Sequence, residues 1–415
     1  MLVLLSNILS AQKIEVSSFG YDPNNATECL LRAFSSRYDT IVITKQTTDW
    51  KVAPLSLKNI SNKTIIFEDG VVISALPGKF NDIHAPLIEL LNSNNIELLG
   101  NGATLKMNKR EYVEGGWRHA LSLRQCKNVT IKGFEIRESG GDGIYIAGRA
   151  KGTFCENIYI EDVKSINNKR QGMSIISAQN VFVKNSEFTE TKGILPEAGV
   201  DIEPNNSSNR IVNVNFEHCS FNNNNHSGLL LALEKLDANS IPISISLKEC
   251  YLSNNHVETN RYAAAEINIY ANKESPVKGN VFFDQCMVKN SNWGILYSRK
   301  RSDAFNVIFR NCAAINICKN KKFSPISFEV PDYKTISSSL GGFTFDNLYL
   351  EYSSTSPVVK IRGSRLGTLT SFKDVKGHIT VKNHFLIPSD QIKYINYDSQ
   401  LNKDVNLNIT HIITN

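Results

Sequence analysis

The chain has 415 residues, 41% of them hydrophobic and 21% charged, a balance that fills a continuous core and excludes a disordered polymer. Lys and Arg outnumber Asp and Glu by 46 − 40 = 6, a modest excess with no basic run interleaved with aromatics. An acidic glycan is therefore a better partner than nucleic acid, and no apolar run reaches the roughly 20 residues of a membrane span.

Residues 1–11 (MLVLLSNILSA) are apolar and end in small residues before Gln12 and Lys13. They fit the apolar region and cleavage site of a secretory signal that lacks its basic leading segment, which implies a secreted or periplasmic protein; the alternative is a short buried cap strand. Residues 12–61 then form an N-terminal cap and the first strands. In residues 26–34 (ATECLLRAF), Leu30, Leu31 and Phe34 share one helical face, and such a helix would plug the open end of a stack of strands. Strands follow at residues 40–43 and 64–67.

From Asn62 a segment of the type Asn-apolar-x-apolar recurs at Asn62, Asn95, Asn128, Asn157, Asn180, Asn213, Ser244, Asn280 and Asn306, in steps of 33, 33, 29, 23, 33, 31, 36 and 26 residues. Such a period means stacked units. Each unit has Gly, Asn and Ser turns and no helix-length apolar pattern, so it reads as one coil of an all-β, single-stranded parallel β-helix. About ten coils fit residues 62–388 at this period, and the polar residues 389–415 form a C-terminal cap or tail. Within a coil, Val129 and Ile131 point inward and Thr130 outward. Six residues past successive repeat starts stand Phe134, Val163, Ser186, Cys219, Cys250, Cys286 and Cys312, so four of the eight cysteines share one inward column. Cys126 and Cys155 share another. They read as free packing thiols, with disulfides between stacked neighbours as the alternative. Nothing has metal-finger spacing.

The opening VSSFGYDPNNAT before a helix, and the Asn-led coils with GGDGIYI, resemble the pectate-lyase-like superfamily of right-handed parallel β-helix proteins. The resemblance covers nearly the whole chain. It implies a right-handed β-helix, secretion and a polysaccharide partner, and it leaves the reaction open among hydrolases, lyases, epimerases and non-catalytic proteins.

A second strand in each coil aligns on Ala120, Gly143, Gly172, Gly199, Gly228, Glu266 and Gly294. One residue earlier come His119, Asp142, Gln171 and Ala198; two later come Ser122, Tyr145, Ser174, Asp201, Leu230, Asn268 and Leu296; four later come Arg124, Glu203, Tyr270 and Ser298. In AGVDIEPN, Asp201 and Glu203 leave one face with Cα atoms about 6.6 Å apart. Two carboxyl groups at that range divide into acid and base when repulsion and burial separate their pKa values. Asp142, two coils earlier and about 10 Å along the stack, completes the catalytic candidates. The alternative is a structural cation site or a solvated strand.

Lys169, Arg170 and Gln171 lie one coil below this pair. Arg170 suits a bidentate grip on a substrate anion, and Lys169 suits an anion contact or a base, against the alternative of a solvated basic turn. His226 and His119 offer acid–base or plain hydrogen-bonding groups. Tyr145 and Tyr270 offer stacking faces, Asn205 and Asn268 offer amides, and Trp117 and Trp293 flank the stretch. No phosphate loop or serine nucleophile elbow is present.

Three functions follow. The first is a glycoside hydrolase with Asp201, Glu203 and Asp142 as acid–base carboxyls; the spacing suits inversion better than retention, and no cofactor is required. It is similar to the acid pairs of ι-carrageenases and the aspartate cluster of polygalacturonases, departing from the latter in lacking a second Asp after Asp142 and in carrying His226-Ser227-Gly228 for Gly-His-Gly. The second is a lyase or C5-epimerase on a uronic-acid glycan, with Ca2+ held by Asp201 and Glu203 and a base among Lys169, Arg170, Tyr145 and His226. Gly199-Val200-Asp201 resembles the Gly-x-Asp of mannuronan epimerases, with Ile202-Glu203 where those have Pro-His. The third is a non-catalytic glycan-binding or surface protein.

Overall fold

The structure, a computed structural model, describes residues 13–256, 265–330, 337–363, 368–385, 387 and 392–412. The signal-like residues 1–11 lie outside these.

Inward apolar residues stack coil upon coil. Val129, Ile158, Val181, Val214, Ile245, Val281 and Val307 pair in parallel register and are all buried. Each such side chain contributes about 1.5–3 kcal/mol by leaving water. Two sheets result. The larger holds the Asn-led strands and the short strands that follow them, such as Ala178–Lys184 and Glu187–Thr189. The other has twelve strands among the described residues, from Leu55–Lys58 to Tyr394–Ile395, all parallel to their neighbours.

The repeated asparagine has a backbone reason. Asn62, Asn95, Asn128, Asn157, Asn180 and Asn213 all have φ between 51° and 57°, in the left-handed region where Asn is tolerated better than most residues. Their amides form a ladder in which each Nδ2 donates to the Oδ1 of the asparagine one coil below, from Asn95 to Asn62 at 2.9 Å through to Asn213 to Asn180 at 2.8 Å. At Ser244 the hydroxyl instead accepts from the Asn213 backbone N–H at 2.7 Å. All eight cysteines are free and buried.

The α-helix Thr27–Phe34 lies on the first coils, with Leu30 and Phe34 buried and Ala26 donating its N–H to the Lys51 carbonyl. Pairing begins before Asn62, because Lys13–Glu15 pairs with Thr40–Ile43 and Thr40–Ile43 with Ser61–Phe67. It also runs into the polar tail, where Asn402–His411 pairs with Thr368–Asn383 and Tyr394–Ile395 with Val359–Arg362. No helix among the described residues is long and apolar enough to cross a membrane.

One register differs from the sequence-based alignment. Asn268 pairs with Tyr297, and Tyr270 with Arg299, where Leu296 and Ser298 were expected. Gly294 stands opposite Ala265 rather than Glu266, and a Cβ on it would lie 2.3 Å from the Pro325 carbonyl oxygen. Close approach is also what Gly143, Gly172 and Gly199 serve, each with a neighbouring backbone oxygen within 2.7 Å of where its Cβ would stand.

Candidate active site

The twelve-stranded sheet carries the site on its outward face. Ser122, Tyr145, Ser174, Asp201, Leu230 and Asn268 stand in one column, paired coil by coil. The strand Ala198–Ile202 is buried throughout, and Asp201 is fully buried although it faces outward. The Gln171 amide, from the preceding coil, donates to Asp201 Oδ2 at 2.8 Å and accepts from the Ala198 N–H at 2.8 Å. Asp201 Oδ1 has no partner. Burial above all, and then the charge of Glu203, hold the Asp201 carboxyl well above the usual carboxylate range, against the pull of Arg170.

Glu203, just past the strand end, is the one of the three acids that meets solvent, with 39% of its side chain exposed. Arg170 Nη2 donates to Glu203 Oε2 at 2.9 Å, and Nη1 lies 3.6 Å from Asp142 Oδ1. Burial alone would lower the Arg170 guanidinium; the carboxyls of Asp142, Asp201 and Glu203 more than offset it, so it stays charged. Asp142 is fully buried and pushed up to about 6 by burial, with Arg170 opposing. Its backbone N–H donates to His119 Nδ1 at 3.1 Å. Burial holds His119 well below its ordinary value, so its ring is a neutral acceptor toward Asp142 and not a cation. Tyr145 stacks on His119 at 4.2 Å between centroids, with the Arg124 guanidinium 4.9 Å from the tyrosine ring centre.

Seven expected site residues thus meet: His119, Asp142, Tyr145, Arg170, Gln171, Asp201 and Glu203. The rest do not join them. Lys169 donates its ammonium to the carbonyls of Tyr112, Val113 and Gly115, so it clamps that loop and has no hydrogen left for an anion or a base role. Arg170 is likewise turned to the protein's own carboxylates, which corrects its expected grip on substrate. His226 is buried beside His256 and Ser227, and burial lowers it to about 4, so near neutrality it is uncharged and no proton donor, and it packs against His256 rather than joining the acids. Asn205 is exposed, its N–H taken by Asn209 in a tight turn. Asn268 and Tyr270 lie two coils further on; Asn268 Oδ1 accepts from the Ala265 N–H while its Nδ2 is unpartnered. Trp117 stacks on His84 and Trp293 on Phe323.

The residues do not fit the Ca2+ that an eliminating enzyme would use. The Arg170 guanidinium already lies between Asp142 and Glu203, and no group of three or more His, Cys, Asp or Glu residues among the described residues is arranged to hold a metal ion.

Glu234 was missed from sequence. It follows the strand Leu229–Ala232; burial raises its carboxyl, and the charge of Glu203 adds to this. The period-two count from Gly228 reaches it at the sixth residue, two beyond where the outward columns stopped. Asp142 is held by the Arg170 charge without a short hydrogen bond, and buried oxygens on Ser122, Ser174 and Asp201 also lack one, a costly arrangement of the kind that clusters at functional sites.

The model of the right-handed β-helix region matches residues 94–314. No curated protein matches the sequence. Among solved structures, the chain is similar to the catalytic unit of a GH87 α-1,3-glucanase from Streptomyces thermodiastaticus (12% identity, 96% of this chain and 70% of that chain, TM-score 0.54). It is also similar to a family 28 exopolygalacturonase from Yersinia enterocolitica (12%, 97% and 78%, 0.52) and to an exopolygalacturonase from Thermotoga maritima (12%, 87% and 92%, 0.51). At these identities the likeness is one of fold. With a family match over more than half its length and a parallel solenoid throughout, the chain belongs to the right-handed β-helix family.

Proposed function

We propose that the protein is a secreted glycoside hydrolase that cleaves a polysaccharide lying along the outward face of the twelve-stranded sheet. One observation carries this reading: a single strand and its end present two carboxyls in different environments, Asp201 buried and held toward its protonated form, and Glu203 exposed and paired with Arg170. Asp201 gives its proton to the glycosidic oxygen as the bond to the anomeric carbon breaks. Glu203 takes a proton from the water that attacks that carbon. Asp201 is left ionised and Glu203 protonated, and exchange with solvent restores both. Arg170 positions Glu203 and ties it to Asp142; Gln171 orients Asp201. The relatedness in fold to a glucanase and two exopolygalacturonases supports a glycan substrate.

Elimination at C5 is less well supported, because Lys169 is saturated by carbonyls, burial raises the Tyr145 phenol, and His226 is buried against His256. Complete burial of Asp142 and Asp201 favours a second reading, a glycan-binding protein whose carboxyls only shape the groove. Digestion of neutral and anionic polysaccharides by the wild type and by Asp201→Asn separates the two. New reducing ends from the wild type alone support hydrolysis, whereas equal binding by both proteins with no change in chain length supports the second reading.

A further inference from the structure

Beyond Glu203 the sheet changes character. Three coils on, about 14 Å along the stack, stand Tyr297 and Arg299; five coils on, about 24 Å, stands Arg362 with Lys360 beside it. Between them a cavity of about 70 Å3 is lined by Trp293, Tyr297, Phe323, Ser324, Lys360 and Arg362. Where one water needs roughly 10–15 Å3 of such room, this holds several, enough for an anionic substituent and the edge of a sugar ring.

The cavity is aromatic on one side and cationic on the other. Trp293 stacks on Phe323 at 3.9 Å, and Tyr297 meets Tyr270 edge to face at 6.1 Å. Glu329 is shared by two guanidiniums: Arg362 Nε donates to it at 2.9 Å and Arg299 Nη2 lies 3.6 Å away. Lys360 makes no ion pair among the described residues and is half-buried; burial and the neighbouring Arg362 lower its ammonium. Three cations therefore face Glu329, with Glu234 acting on Arg299 as well, which leaves one positive charge in excess. Ser324 Oγ is buried, lines the cavity and has no partner. Arg170, the expected anion grip, is consumed by acids, so the uncompensated positive charge of this face lies here.

We propose that this cavity is a distal subsite for an anionic sugar, one carrying a carboxylate or sulfate, with Lys360 and Arg362 contacting the charge, Ser324 donating a hydrogen bond, and Trp293 and Tyr297 packing on the ring. The inference rests on reading this face as a polysaccharide groove, and it makes that polysaccharide acidic.

The test is affinity electrophoresis through gels containing polygalacturonate, a sulfated galactan or a neutral β-glucan, in the Glu203→Gln background so that the matrix survives. Lys360→Gln leaves the Arg362–Glu329 pair intact, and Lys127→Gln, an exposed lysine on the other sheet, makes the same charge change elsewhere. An acidic matrix is expected to retard the parent, and Lys360→Gln to weaken that by about ten-fold, the worth of one charge-assisted hydrogen bond. Lys127→Gln should change little. Loss in polygalacturonate assigns a carboxylate, and loss in the galactan a sulfate. Equal retardation of all three proteins, or retardation by the neutral glucan alone, overturns the subsite. Failure of the hydrolase reading looks different: acidic glycan bound through Lys360 while the wild type cuts nothing.

Discussion

Asp142 shows what burial does to one carboxyl. Its folded value of about 6 lies above its ordinary 3.8, so the folded protein holds the proton more tightly than the unfolded chain. Stability from this group is complete below pH 4 and is lost as pH rises to about 6, on the order of 3 kcal/mol. Asp201 acts with the same sign. Asp142→Asn, neutral at every pH, should therefore gain on the wild type by about 2–3 kcal/mol between pH 4 and pH 7 in urea unfolding; parallel curves would show that Asp142 is already paired well enough to ionise freely. Glu203→Gln should lower turnover by roughly 10²–10⁴-fold, with a melting temperature close to wild type because Glu203 is partly exposed. Asp201, Glu203, Arg170 and Gln171 could be placed from sequence because a period of two fixes which side chains share a face. The fate of Lys169 could not, since its three carbonyl acceptors lie 54 to 57 residues away in a loop with no repeat to align it.

The asparagine ladder belongs to the scale of the coil. Asn157 bonds Asn128 below and Asn180 above, each at 2.8 Å, from a backbone at φ 56°. Asn157→Gly keeps the backbone and loses the amide bonds, at a cost of about 1 kcal/mol; Asn157→Ala adds the left-handed penalty and should cost about 2–3 kcal/mol. Equal losses in the two variants would mean that the conformation is not what selects asparagine. The stacked cysteines make a second check: unfolding without reductant should expose eight alkylatable thiols by mass spectrometry, and any shortfall means a disulfide. The Asn-led strands were legible because the left-handed position demands a particular residue type in each coil. The second strands were legible while a glycine held the same register position in each coil; Gly294 stands opposite Ala265, one position earlier, so the register slipped by one and hid Tyr297 and Arg299.

Across the whole molecule the solenoid acts as a ruler. Its coils, about 4.8 Å apart, place an acid–base cluster near Glu203 and an aromatic, cationic cavity near Lys360 on one face, a separation of several sugar units. Architecture was readable at this scale because stacked coils repeat one local rule, whereas the cavity at Trp293, Ser324 and Lys360 joins three coils through turns of unequal length. The most direct measurement of the central claim is product analysis after incubating neutral and acidic polysaccharides with the wild type and Glu203→Gln. The account predicts that the wild type alone releases new reducing ends from at least one polysaccharide, with no ultraviolet-absorbing unsaturated ends. Unsaturated ends, or cleavage that persists in Glu203→Gln, would contradict it.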